Sequence, residues 1–117
     1  MENYIAEREM AHDIIKQACK DYVKYQLQSM GIVRKVCEGT GEVTYKKETL
    51  NLGSTEGRKT LKNIRREILD LLAFFRSDWF ANLADYSGFE SENIISRLNA
   101  LVKKYIAEFH EAMNKTK

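Results

Sequence analysis

Apolar residues recur at three- and four-residue spacing along three stretches of this chain, and between the first two that spacing disappears. Ala11, Ile14, Ile15, Ala18, Cys19, Tyr22 and Val23 form the first series and predict a long amphipathic helix over residues 3–29. Glu2, Glu7 and Glu9 lie near its start, where the helix dipole favours anions, and Gly31 is placed to end it. From Ile32 to Leu52 the helical period is lost. Ile32, Val33 and Val36 precede a Glu38-Gly39-Thr40-Gly41 turn, and Val43, Thr44 and Tyr45 follow it, which predicts a β-hairpin. A hairpin of two strands is marginal in water, so this one must pack on the helices or pair with the edge of another copy.

Residues 51–57, NLGSTEG, read as a polar linker in which Ser54 or Thr55 can cap the next helix. Leu61, Ile64, Ile68, Leu71, Leu72 and Phe75 then predict a second helix over 58–76. Ser77 and Asp78 are a cap and first-turn pair for a short helix through Trp79, Phe80 and Leu83, broken at Tyr86-Ser87-Gly88. Ile94, Ile95, Leu98, Leu101, Val102, Tyr105, Ile106 and Phe109 predict a third main helix from about Glu90 to Met113, with a frayed tail from Asn114 to Lys117. The chain has no proline, which suits long uninterrupted helices. The expected fold is mainly α with a β-hairpin: three main helices plus a short helix, with the hairpin between helices one and two. A single domain spans 1–117, with helix one in 1–30, hairpin and linker in 31–57 and a helical C-terminal part in 58–117.

Composition agrees with that size. A chain of 117 residues, 44% hydrophobic and 31% charged, is expected to be ordered and soluble. On folding it buries roughly two thirds of the surface its unfolded chain exposes. No apolar run approaches a membrane span. The opening MENYIAEREM is acidic and lacks the blocks of a secretion signal, so the expected location is the cytoplasm. In that reducing compartment Cys19 and Cys37 read as small hydrophobes and not as a disulfide.

Catalytic chemistry finds little support. His12, Cys19, Cys37 and His110 match no zinc spacing, no cysteine or serine has a base placed beside it, and Gly39 and Gly41 lack the lysine and helix of a phosphate loop. Pairs such as Glu108 with Glu111 and Glu90 with Glu92 read as solvated faces and caps. The expectation is a protein that is not an enzyme, with no cofactor and no bound metal.

The net charge of +2 conceals an uneven distribution. Residues 1–30 carry net −1, residues 31–66 net +5 and residues 67–117 net −2. Arg58, Lys59, Lys62, Arg65 and Arg66 cluster at the start of helix two, with Lys59, Lys62 and Arg66 on one face. Two readings stand: a solvated helix face, or a phosphate site to which Lys46 and Lys47 of the hairpin add. A pI of about 8.5 speaks against a domain dedicated to duplex DNA and favours a small polyanion.

The stretch FFRSDWFANLADYSGF, residues 74–89, holds six of the twelve aromatic residues. Most are expected to fill the corner between helices, while Arg76, Trp79 or Tyr86 can face a ligand, through stacking on a base or pairing with phosphate.

The same stretch carries a resemblance. Phe74, Phe75, Arg76, Ser77, Asp78, Trp79 and Phe80, then Phe89, Glu90, Glu92, Ile94, Ile95, Arg97 and Leu98, resemble small proteins encoded by phages and prophages of Gram-positive bacteria. Ala11, Ile14, Ile15, Ala18, Asp21 and Tyr22 are similar to an N-terminal motif of the same proteins. The resemblance covers about half the chain and departs at residues 31–57 and at an insertion around Tyr86 to Gly88. It implies origin, and by class a regulator, a replication accessory or an inhibitor of host defence. The resulting expectation is a homo-oligomeric counter-defence protein that sequesters a small nucleotide signal. Lys59, Lys62, Arg65 and Arg66 are then assigned to phosphates, with Arg76, Trp79 and Tyr86 completing the ligand site. The alternatives are an inhibitor that binds a host defence protein directly and a nucleic-acid-binding accessory protein.

Overall fold

The computed structural model describes residues 2–115, with side chains from residue 7 onward. Its order is α1 (Glu2–Ser29), β1 (Ile32–Val36), β2 (Val43–Lys47), α2 (Thr55–Phe75), α3 (Asp78–Ser87) and α4 (Ile94–Lys115). This is the mainly helical architecture with a hairpin between the first two helices that the periodicity predicts. No helix among the described residues is long and apolar enough to cross a membrane.

The central element is α1, which packs against α2, α3, α4 and β1. Its buried series, Ala11, Ile15, Ala18, Tyr22, Val23 and Leu27, keeps the expected spacing, and Ile15 at 0% exposure is the deepest point of the core. From α4, Ile94, Leu98, Val102 and Phe109 supply the opposing stripe. One polar link crosses the two helices: the Tyr22 hydroxyl donates to Asn99 Oδ1 at 2.5 Å and accepts from Gln26 Nε2 at 3.1 Å.

Gly31 turns the chain out of α1 with φ +78, a conformation that costs an L side chain strain, and its amide donates to Gln28 O at 3.0 Å. The strands then pair antiparallel with Ile32 opposite Lys47 and Val36 opposite Val43. The hairpin is held by its own chain. Ile32 is buried among the helices, and Tyr45 sets its ring edge against Phe109 at 6.3 Å.

Two boundaries differ from the periodic reading. α2 begins at Thr55, because the Ser54 hydroxyl caps it by accepting from Gly57 N–H at 3.0 Å. The basic cluster is therefore one turn inside the helix. α4 begins at Ile94 and not near Glu90, because Asn93 takes φ 56, outside the helical region. Arg97 secures that turn, donating to the carbonyl of Glu92 at 3.1 Å and to that of Glu90. At its other end α4 continues through Asn114 and Lys115, part of the expected frayed tail, while residues 116 and 117 lie outside the described residues.

Ser77 caps α3 by accepting from Phe80 N–H at 3.1 Å. The corner between α2 and α3 is filled by rings, with Phe74, Phe75 and Phe80 within 5.5 Å of one another centroid to centroid and Phe89 6.4 Å from Phe80. Of the six aromatics in this stretch, Phe74, Phe75, Phe80 and Phe89 pack in or on the core, whereas Trp79 is 58% exposed and Tyr86 36%.

Candidate functional site

A groove of about 700 Å³ lies between α1, β1 and α4, within the range of ligand-binding clefts. Its floor is apolar, built from Cys19, Val23 and Leu27 of α1, Ile32 of β1, and Leu98, Leu101 and Tyr105 of α4. Its rim is cationic, with Lys16, Lys20 and Lys24 from α1 and Arg34 and Lys35 from β1. The local reason is a double stripe on α1. Lysines recur every fourth residue, and three residues after each comes a floor residue: Cys19, Val23, Leu27. One helix face thus supplies both wall and floor.

Asp21 is the only carboxylate lining the groove, and it accepts from Gln17 Nε2 at 2.9 Å. Among the described residues the one ion pair lies elsewhere, between Lys115 and Glu111. Arg34 is held in place. Its guanidinium sits 3.9 Å from the Tyr105 ring centroid, and its Nε donates to the Tyr45 hydroxyl at 3.3 Å. That hydroxyl donates onward to Glu108 Oε2 at 2.5 Å. Burial and the Glu108 bond push the Tyr45 phenol above its ordinary value, so it remains a donor at neutral pH. Cys19, in the floor, has its thiol pushed up by burial.

The residues singled out from sequence fall elsewhere. Lys59, Lys62, Arg65 and Arg66 are all exposed on α2. Lys62 and Arg65 border a second, shallower hollow of about 390 Å³ with Leu52, Arg58 and Leu61, which Lys59 and Arg66 do not line. Arg66 instead donates to Asn63 Oδ1 at 2.6 Å. Arg76 ends α2, roughly 25 Å from Lys59 along the helix axis at 1.5 Å per residue. Trp79 rests its ring on Phe74, 5.3 Å centroid to centroid, and Tyr86 donates to Glu7 Oε2 at 3.1 Å. Neither of these two hollows is lined by Arg76, Trp79 or Tyr86. Lys46 and Lys47 lie on a hairpin whose packing partners are α1 and α4, not α2.

His12 and His110 are exposed, set against Phe89 and Phe109. No cluster of three or more His, Cys, Asp or Glu able to hold a metal occurs among the described residues. No family model, no curated protein and no solved structure matches this chain. The functional reading therefore rests on geometry.

Proposed function

We propose that this protein is a non-enzymatic binding protein that holds an acidic segment of a partner protein in the groove between α1, β1 and α4. The observation that carries this reading is the pairing of an apolar floor with five rim cations and a single carboxylate. An apolar floor rewards side chains that bury carbon, which a phosphate or a ribose does not offer. The cationic rim selects carboxylates, and it speeds encounter through long-range attraction. Burial pushes the Cys19 thiol in the groove floor above its ordinary value, away from the thiolate that a nucleophile needs there. The resemblance to small phage and prophage proteins supports a host protein as the partner, and interference with host defence in the bacterial cytoplasm as the outcome.

A second reading is favoured by the hollow at Arg58, Lys62 and Arg65, whose three cations suit a small phosphorylated ligand such as a nucleotide signal. Charge reversal separates the two. A variant carrying Lys16→Glu, Lys20→Glu and Lys24→Glu is compared, as bait in host lysate, with one carrying Arg58→Glu and Arg65→Glu. Capture of a protein by the wild type and the α2 variant but not by the α1 variant is the expected result. A melting-temperature rise with ADP or cyclic di-AMP that the α2 variant loses would replace this reading with the second.

A further inference from the structure

The antiparallel ladder shows which backbone groups the groove contains. Glu48 N–H donates to Gly31 O at 2.7 Å and Cys37 N–H to Glu42 O at 2.8 Å, so residues 31 and 37 face the partner strand. Hydrogen-bonded and non-bonded pairs alternate in such a ladder. By that parity Val33 and Lys35 also face β2, while the N–H and C=O groups of Ile32, Arg34 and Val36 point away from it. The sheet has two strands, so among the described residues no strand pairs with that edge. All five residues of β1 line the groove and no residue of β2 does, although alternate residues of β1 lie on opposite faces of the sheet. The groove therefore runs along the unpaired edge of β1.

We propose that the groove takes its occupant as an extended strand, added to the edge of β1, from a partner segment that alternates apolar and acidic residues. This rests on reading the groove as the binding site and names the form and chemistry of what enters it. Ile32 is buried at 3% exposure, so main-chain bonds to the edge groups of Arg34 and Val36 supply affinity, and side-chain alternation supplies specificity. One set of side chains covers Val23, Leu27 and Leu101 on the floor. The other set meets the lysines of α1. Lys16, Lys20 and Lys24 recur about every 6 Å along a helix, close to the roughly 6.6–6.8 Å between same-face residues of a strand. A second copy of this chain is the poorer occupant, because pairing β1 with its own image brings two cationic rims together.

The test uses a fluorescein-labelled peptide of seven alternating glutamate and valine residues, with a lysine–valine peptide as control. Anisotropy gives affinity for the full chain, and amide exchange followed by NMR gives the mode. The glutamate peptide is expected to bind, the lysine peptide not to bind, and exchange at Arg34 and Val36 to slow at saturation. Val36→Pro removes one edge donor without touching the bonds to β2. It is expected to weaken binding roughly three- to tenfold, the worth of one hydrogen bond. Should that variant lose its fold, the exchange data on the wild type still decide. Binding that leaves those two amides fast overturns strand addition while keeping the groove as the site. Failure of the glutamate peptide to bind at all also overturns it, with the bait comparison left to judge the groove. A dimeric free protein whose Arg34 and Val36 amides are already slow overturns it in favour of a second copy.

Discussion

The Tyr45 hydroxyl on β2 donates to Glu108 Oε2 on α4 across 2.5 Å, joining residues 63 positions apart in the chain. It also receives Arg34 Nε at 3.3 Å, and Arg34 covers the Tyr105 ring. This chain of contacts ties the hairpin to the last helix and fixes the position of one rim cation. Tyr45→Phe is expected to cost about 1 kcal/mol, below the roughly 1.5–3 kcal/mol of a buried bond to a charged group because the site is only half-buried. The phenol's value is raised in the folded state, so the folded protein holds this proton more tightly than the unfolded chain does. The bond's contribution is complete below the ordinary tyrosine value of 10.0 and is lost as pH rises through the higher folded value. Chemical denaturation between pH 8 and 11 should show the wild type falling toward the variant only at the alkaline end.

Gly57 reverses the usual rule for glycine in a helix. Replacing a helical glycine by alanine normally stabilises by about 1 kcal/mol. Here a β-carbon would lie 1.9 Å from the backbone carbonyl oxygen of Asn51, so the loop that carries the Ser54 cap must move. Gly57→Ala is expected to lower the melting temperature, and a rise would show that residues 51–54 shift freely.

The two thiols make a pair of opposite sign. Burial pushes Cys19 above its ordinary value, whereas hydrogen bonds from Thr40 and Gly39 pull the exposed Cys37 below it. The thiolate is the reacting form, so a raised value slows alkylation at a given pH and a lowered one speeds it. Iodoacetamide at pH 7.5 should modify Cys37 first, and peptide mass mapping over time reads the order. An occupant of the groove should slow Cys19 further and leave Cys37 unchanged.

Local patterns reached most of the fold because each helix buries a stripe that repeats every turn, and because Ser54 and Ser77 are cap residues in the places that need them. The start of α4 was not legible, since its boundary depends on Asn93 adopting a positive φ and on Arg97 reaching back to two carbonyls. The groove was half legible. Lysines at 16, 20 and 24, each followed three residues later by an apolar residue, stand in the chain as a pattern. Averaging charge over the first thirty residues cancels them against five acidic groups that occupy other positions. The rest needs tertiary structure. Nothing local indicates that Leu98, Leu101 and Tyr105 lie across from Cys19 and Val23, or that β1 leaves one edge open beside them. The α2 cluster stands out because its five cations fall within nine residues, yet all of them lie exposed on the helix.

Trp79 and Phe80 are neighbours with opposite expected effects, and comparing them tests the reading of the aromatic corner. Phe80 is 3% exposed and meets Phe74, Phe75 and Phe89 edge to face, so Phe80→Ala empties a packed site and is expected to cost about 3–5 kcal/mol. Trp79 points outward and touches the same cluster only through Phe74. Trp79→Ala should cost less than about 1 kcal/mol, comparable to one edge-on aromatic pair. Urea denaturation followed by far-ultraviolet circular dichroism gives both values. Trp79 is also the only tryptophan in the chain and does not line the groove, so a ligand held by α1 and β1 should leave its fluorescence unchanged. A ligand that quenches Trp79 would place the binding surface at the α2–α3 corner instead.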